Sequence, residues 1–286
     1  MGVVALRAGT GSRLSAEFEL LLFAVEPGLV QEAVAAGVGG IVVDWERQGK
    51  WERQLGVDTE INLHTVGDLV RVREAAPCPV ICRLNPCNRG SAAELESALS
   101  GGADEVLVPM VRSPEEVERM LDLADGRCGV GILVETAEAV AASSALGRLP
   151  ISRVYVGLND LAIDRCSMSI FEPLLDGTVE RLRPDFDVPF GFGGLTLPDR
   201  GAPIPCRQLI AEMVRLDCSF SFLRRSFRRD VPLHEIGAAL ARIRDAIVAA
   251  RTRSHDAIAS DRAALVHVIE GIRAPLEDDS DAVAVA

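Results

Sequence analysis

Aromatic side chains are scarce in this chain: Phe, Trp and Tyr make up 4% of its 286 residues. A core must therefore come from Val, Leu, Ile and Ala, which is the composition of buried parallel strands. The 48% hydrophobic content is enough for one. Paired cysteine motifs are also missing. The seven cysteines, at 78, 82, 87, 128, 166, 206 and 218, form no CxxC and no Cys/His spacing of a zinc site. Their odd number and apolar settings mark them as small buried hydrophobes of a reducing compartment. No apolar run approaches the ~18 residues of a membrane span. No charged-then-apolar leader opens the chain either. A cytoplasmic protein that meets no membrane is the expectation. Basic excess is lacking too: 30 Lys and Arg stand against 42 Asp and Glu, a net charge of -12. That excludes a nucleic-acid surface. It leaves an anionic small molecule open, because a metal ion and a few arginines reverse a field locally.

What is present is a series of short apolar runs, most of them closed by a polar or charged residue. Strands are expected at Leu20–Glu26, Gly40–Glu46, Val80–Asn85, Glu105–Val111, Gly129–Glu135, Arg153–Asp160, Val188–Leu195 and Phe220–Phe227. Helical patterns separate most of them. Pro27 opens the first, Ser113-Pro-Glu-Glu caps another, and His64 to Ala76 forms one more. Pro109 inside the fourth run implies a place where no ladder donor is needed. Eight strands alternating with helices predict an α/β fold, a (β/α)8 TIM barrel with an extended C-terminal helical segment. A doubly wound sheet is the alternative, but no phosphate-binding glycine fingerprint follows the first strand. The expected division is an N-terminal loop over 1–17 and the barrel over 18–230. C-terminal helices over 231–274, packing on a neighbouring subunit, and a solvated acidic tail over 275–286 complete it.

The functional groups of such a barrel stand at the carboxyl ends of its strands. Glu135 and Asp160 close neighbouring parallel runs, and two carboxylates held there suit a hard cation such as Mg²⁺, Mn²⁺ or Co²⁺. Asp44 and Glu46 lie two residues apart and face the same way, while Trp45 between them faces the helix layer. Arg83 offers a fork for a substrate carboxylate. Gly193 and Gly194 permit close backbone approach to an anion, and Arg225 borders the same face. A 2-keto acid held by the metal and Arg83 would be polarised towards its enolate, the intermediate of aldol and Claisen chemistry.

The runs IVVDWE, VICRLNP, VLVPMV, ILVETAEA and VYVGLNDLAID, spread over residues 18–230, resemble the HpcH/HpaI aldolase / citrate lyase family of the phosphoenolpyruvate–pyruvate barrel superfamily. DWERQGKWERQLGVDTEINLHTVGD, GLNDL and FGFGGL are similar to an aldolase-like branch of it. The resemblance implies a divalent metal and a pyruvate- or oxaloacetate-like substrate. It places Glu135 and Asp160 on the metal, Arg83 on the substrate carboxylate, and Asp44 and Glu46 on the metal-bound waters. It also implies a homo-oligomer. One position departs from the family: Arg47 stands where a proton-transferring histidine follows the strand-two acids. His64 is then the candidate replacement, and Lys50 and Arg53 of the same loop are candidates for a substrate anion. The expected function is a metal-dependent carbon–carbon lyase or synthase of aldolase type. The alternatives are a citrate-lyase-like enzyme of acyl-CoA esters and a catalytically silent barrel that serves as a binding subunit.

Overall fold

The structure, a computed structural model, describes residues 17–49, 62–167 and 169–273. Lys50 and Arg53, like the N-terminal loop and the acidic tail, lie outside the described residues.

Short runs rich in branched aliphatics form the strands. They are β1 Glu19–Phe23, β2 Gly40–Asp44, β3 Val80–Arg83, β4 Glu105–Val108, β5 Gly129–Val134, β6 Val154–Val156, β7 Phe190–Phe192, β8 Gly194–Leu195 and β9 Phe220–Leu223. All pair in parallel, in the order β7-β6-β5-β4-β3-β2-β1-β9-β8. The ninth strand arises because the seventh run is broken. Gly193, at φ +58, turns the chain there, so β7 pairs with β6 and β8 pairs with β9. The Ser219 N–H donates to the Phe190 carbonyl at 3.0 Å across the remaining seam. The sheet is thus nearly closed into a TIM-barrel-like α/β fold.

The helices are α1 Pro27–Ala35, α2 Val66–Ala75, α3 Ser91–Ser100, α4 Pro114–Ala124, α5 Ala137–Ala141, α6 Ser143–Leu146 and α7 Leu158–Asp164, followed by α8 Glu172–Leu175, α9 Thr178–Leu182, α10 Cys206–Arg215, α11 Arg225–Asp230, α12 Ile236–Arg251 and α13 His255–Arg273. Helix α2 begins at Val66, two residues after His64. Thr65 caps it and Asp68 completes a capping box.

Most expected strands end early, three of them by three or four residues at positions that shape the mouth. β4 stops at Val108, because Pro109 has no N–H and Met110 takes φ +53. β6 stops at Val156, so Asp160 sits in the first turn of α7 rather than on a strand. β9 stops at Leu223, and Arg225 and Ser226 begin a helix. Between Phe171 and Leu182 the chain forms two short helices, α8 and α9, parted by Gly177 at φ +73.

Alternation divides the core in two. Leu21, Val42, Ile81, Leu107, Leu133, Tyr155, Phe220 and Phe222 fill the barrel interior. The other strand faces, Trp45 included, meet the helix layer. At the amino ends of the strands Arg153 closes the interior. Its Nε donates to both Glu105 oxygens at 2.8 Å, its Nη1 reaches Glu19 at 3.0 Å, and it lies over the Phe220 ring. The final helices pack on their own barrel: Ile236, Leu240, Ile243 and Ile247 of α12 and Leu265 and Ile269 of α13 are buried. Arg262 of α13 reaches Glu212 at 3.1 Å and the Leu174 carbonyl at 2.7 Å. No helix among the described residues is long and apolar enough to cross a membrane.

Candidate active site

The strands deliver a charged ring to the carboxyl end of the barrel. Asp44 ends β2 and Arg83 ends β3 as direct register partners, so their side chains emerge side by side. Arg83 Nε and Nη2 donate to Asp44 Oδ1 and Oδ2, both at 2.8 Å, a fork-to-fork pair. Glu46 Oε2 lies 3.4 Å from Arg83 Nη1, as the period of two requires. Asp44 also accepts from Asn62 Nδ2 at 2.9 Å and from the Glu46 N–H at 3.2 Å. Both acids are buried. Burial works against the Arg83 charge, but Asp44 and Glu46 outweigh it and hold the guanidinium well above its ordinary pKa. The fork expected to be open for a substrate carboxylate is therefore already engaged along its Nε–Nη2 edge.

Glu135, one residue past β5, is buried, and its Oε2 accepts the Met110 N–H at 3.1 Å. Pro109 and the positive φ of Met110 aim that N–H into the mouth. Room for the carboxylate comes from Gly157, where a Cβ would overlap Glu135 Oε1 and Cγ. Burial, then the charges of Asp160 and Glu46, push Glu135 up to about 8, while Arg83 and the Met110 N–H pull it down. Asp160 is buried within the first turn of α7. Both carboxylates, with Arg83, line one cavity of about 840 Å³. Gly193, Gly194 and Arg225 line it as well, as do Phe23, Phe222 and Ile170.

His64 does not line that cavity. His64 Nδ1 accepts the Asp44 N–H at 3.0 Å, so Nδ1 carries no proton. Burial lowers the His64 pKa despite the opposing charges of Asp44, Asp68 and Glu26. Arg47 donates to the His64 carbonyl at 2.5 Å. Both residues line a second, smaller cavity with Trp45, Asn85 and Glu94. Asn85 holds the start of the loop there by accepting the Arg47 and Gln48 N–H groups at 2.9 Å each.

Further residues shape the site. Tyr155 projects into the barrel beneath the mouth, and its hydroxyl donates to the Gly193 carbonyl. Burial and the Glu135 charge raise its pKa. Arg224 Nε donates to the Gly194 carbonyl at 3.2 Å. Asn62 and the Met110 N–H are the others. Among the described residues no group of three or more His, Cys, Asp or Glu side chains is placed to hold a metal on its own.

No family model and no curated protein matches the chain. Solved structures do. Citrate synthase SbnG is 17% identical, with a TM-score of 0.55 over 79% of this chain and 92% of that one. RipC from Yersinia pestis is 14% identical, with a TM-score of 0.54 over 84% and 98%. Tryptophan synthase from M. tuberculosis, in an open form with BRD0059 bound, is 16% identical, with a TM-score of 0.55 over 83% and 99%. At these identities the likeness is one of fold, and different printed activities share it.

Proposed function

We infer that the chain is a divalent-metal-dependent carbon–carbon lyase or synthase of aldolase type acting on a 2-keto acid such as pyruvate or oxaloacetate. The carrying observation is that Glu135 and Asp160, both buried, line the same barrel-mouth cavity as Arg83. Two desolvated carboxylates that repel one another are compensated by a hard cation, and oxygen donors suit Mg²⁺ or Mn²⁺. The elevated Glu135 is a sign of that uncompensated crowding. Glu135 and Asp160 would hold the ion, leaving its other positions to water and substrate. Such an ion supplies Lewis-acid polarisation of a keto oxygen.

The remaining work falls to the chain itself. Met110 N–H and Gly157 fix the Glu135 carboxylate. Asp44 and Glu46 fix the Arg83 guanidinium, whose Nη1–Nη2 edge is then presented to the substrate carboxylate. The longer 3.4 Å contact of Nη1 with Glu46 is the one that yields. Phe23, Leu133 and Phe222 exclude water from below. The resemblance of VICRLNP, ILVETAEA and VYVGLNDLAID to the aldolase / citrate lyase family agrees with this reading.

One observation favours a second reading, a barrel that binds a keto acid without turning it over: no histidine among the described residues lines the cavity. Titration with Mn²⁺ tests the common ground of both. One ion should bind per chain, at least tenfold more weakly after Glu135→Ala or Asp160→Ala. Equal binding in parent and variants would remove the metal site from the account.

A further inference from the structure

One side of the Arg83 guanidinium is covered by a residue that the pairing with Asp44 and Glu46 does not account for. Leu21, Val42 and Ile81 form one interior layer of β1, β2 and β3. Two residues further on, alternation places Phe23, Asp44 and Arg83 above that layer, towards the mouth. β2 lies between β1 and β3, so the arginine side chain crosses over the strand of Asp44. Its Cζ stands over the Phe23 ring, 5.0 Å from the ring centre, which is within cation–π reach. The ring is itself held in place. Phe222 meets it edge-on at 5.0 Å, and Tyr155 packs on Phe222 at 4.2 Å. The Tyr155 hydroxyl donates to the Gly193 carbonyl at the far end of this stack. The Phe23 carbonyl accepts from Arg228 Nη1 at 3.1 Å, which fixes the end of β1. Phe23, Phe222 and Tyr155 all line the cavity that holds Arg83 and Glu135.

The contact matters most when Nη1 leaves Glu46. A guanidinium then held only along its Nε–Nη2 edge, by Asp44, is free to tilt about that edge, and the tilt decides where Nη1 points. A ring beneath the plane stops the tilt on that side. We propose that Phe23 is a positioning residue for Arg83: its ring holds the guanidinium plane while Nη1 exchanges Glu46 for a carboxylate oxygen of the keto acid. An aliphatic side chain at the same place excludes water as well but offers no π face to the cation. The proposal rests on the reading of Arg83 as the carboxylate fork for what Nη1 receives. The hold of the ring on the guanidinium does not depend on it.

The test compares the full chain with Phe23→Leu, which removes the ring, and Phe23→Tyr, which keeps it. Melting curves establish that each variant is folded. The first readout is the NMR signal of the Arg83 Nε–H without metal or ligand, assigned by its loss in Arg83→Lys. It should move in Phe23→Leu, as the ring current disappears, and stay near the parent position in Phe23→Tyr. The second readout is calorimetric titration of oxalate in the presence of Mn²⁺. Affinity should fall about threefold to thirtyfold in Phe23→Leu and return to within about twofold of the parent in Phe23→Tyr. An Arg83 signal that ignores the ring overturns the proposal. So does oxalate binding that is equal in Phe23→Leu and the parent, or as weak in Phe23→Tyr as in Phe23→Leu. A parent that binds no oxalate sinks the reading of Arg83 as the fork, an outcome distinct from an oxalate site indifferent to the ring.

Discussion

Asp44 governs what Arg83 can do. It takes two donors from the guanidinium, one from Asn62 and one from the Glu46 N–H, while its own N–H is held by His64. Removing the guanidinium takes a bidentate charged donor pair away from a fully buried carboxylate. Arg83→Met is therefore expected to cost about 3–5 kcal/mol in urea unfolding, and a loss under about 1 kcal/mol would contradict the clamp. Glu135 gives a prediction with a sign. Its folded pKa, about 8, lies above the ordinary 4.5. The metal-free folded state then holds a proton that the unfolded chain has released, so stability falls as pH rises from about 4.5 to about 8. Glu135→Gln should melt a few degrees above the parent at pH 8.5 and level with it at pH 4. His64 runs the other way. Its folded pKa is depressed, so its contribution is full above 6.5 and is lost as pH falls through the lowered value. His64→Ala should flatten the loss of melting temperature between pH 7.5 and 5. At this scale the sequence was legible where charge interrupts an apolar run: Asp44, Arg83 and Glu135 stand out on that ground. Pairing was not legible, because Arg83 to Asp44 is set by strand register. Tyr155 stands inside an apolar run with nothing to set it apart, and the Met110 N–H belongs to the backbone and carries no side-chain letter.

Among the elements, the strands followed from their composition and the strand ends did not. An apolar letter continues past Val108, but Pro109 removes the next donor and the ladder stops. Gly157 acts similarly after β6: the chain turns into α7, and Asp160 arrives at the mouth on a helix instead of a strand. The two expected strand-end acids thus reach one cavity by different routes. Gly157→Ala separates positioning from folding. Its Cβ would occupy the space of the Glu135 carboxylate, so the variant should fold, at a cost of about 1–3 kcal/mol, yet bind Mn²⁺ at least tenfold more weakly. Circular dichroism and metal titration on one preparation check both halves. An unchanged affinity would show that Glu135 is not held by this contact. The broken seventh strand was visible as a glycine-rich run. Its division into β7 and β8 needed the positive φ of Gly193, which composition alone does not fix.

At the scale of the molecule, eight apolar runs alternating with helices were enough for the barrel, because parallel strands with covered faces have few other ways to close. The two ends of that barrel are built differently. At the amino end Arg153 satisfies Glu105 and Glu19 in a closed network, which serves stability. At the carboxyl end Glu135 and Asp160 stay crowded and face a cavity. The surplus C-terminal length covers the chain's own helix layer through Leu265 and Ile269. A barrel shared with a citrate synthase and a tryptophan synthase does not select a reaction, so the central claim rests on the mouth and not on the fold. The most direct test is exchange of deuterium from solvent into the methyl group of pyruvate, followed by NMR with Mg²⁺ or Mn²⁺ supplied. Exchange that requires the metal and is lost in Glu135→Ala and Asp160→Ala is the predicted result. Absence of exchange in the parent under every metal, while Mn²⁺ still binds at Glu135 and Asp160, would contradict the lyase and leave a binding barrel.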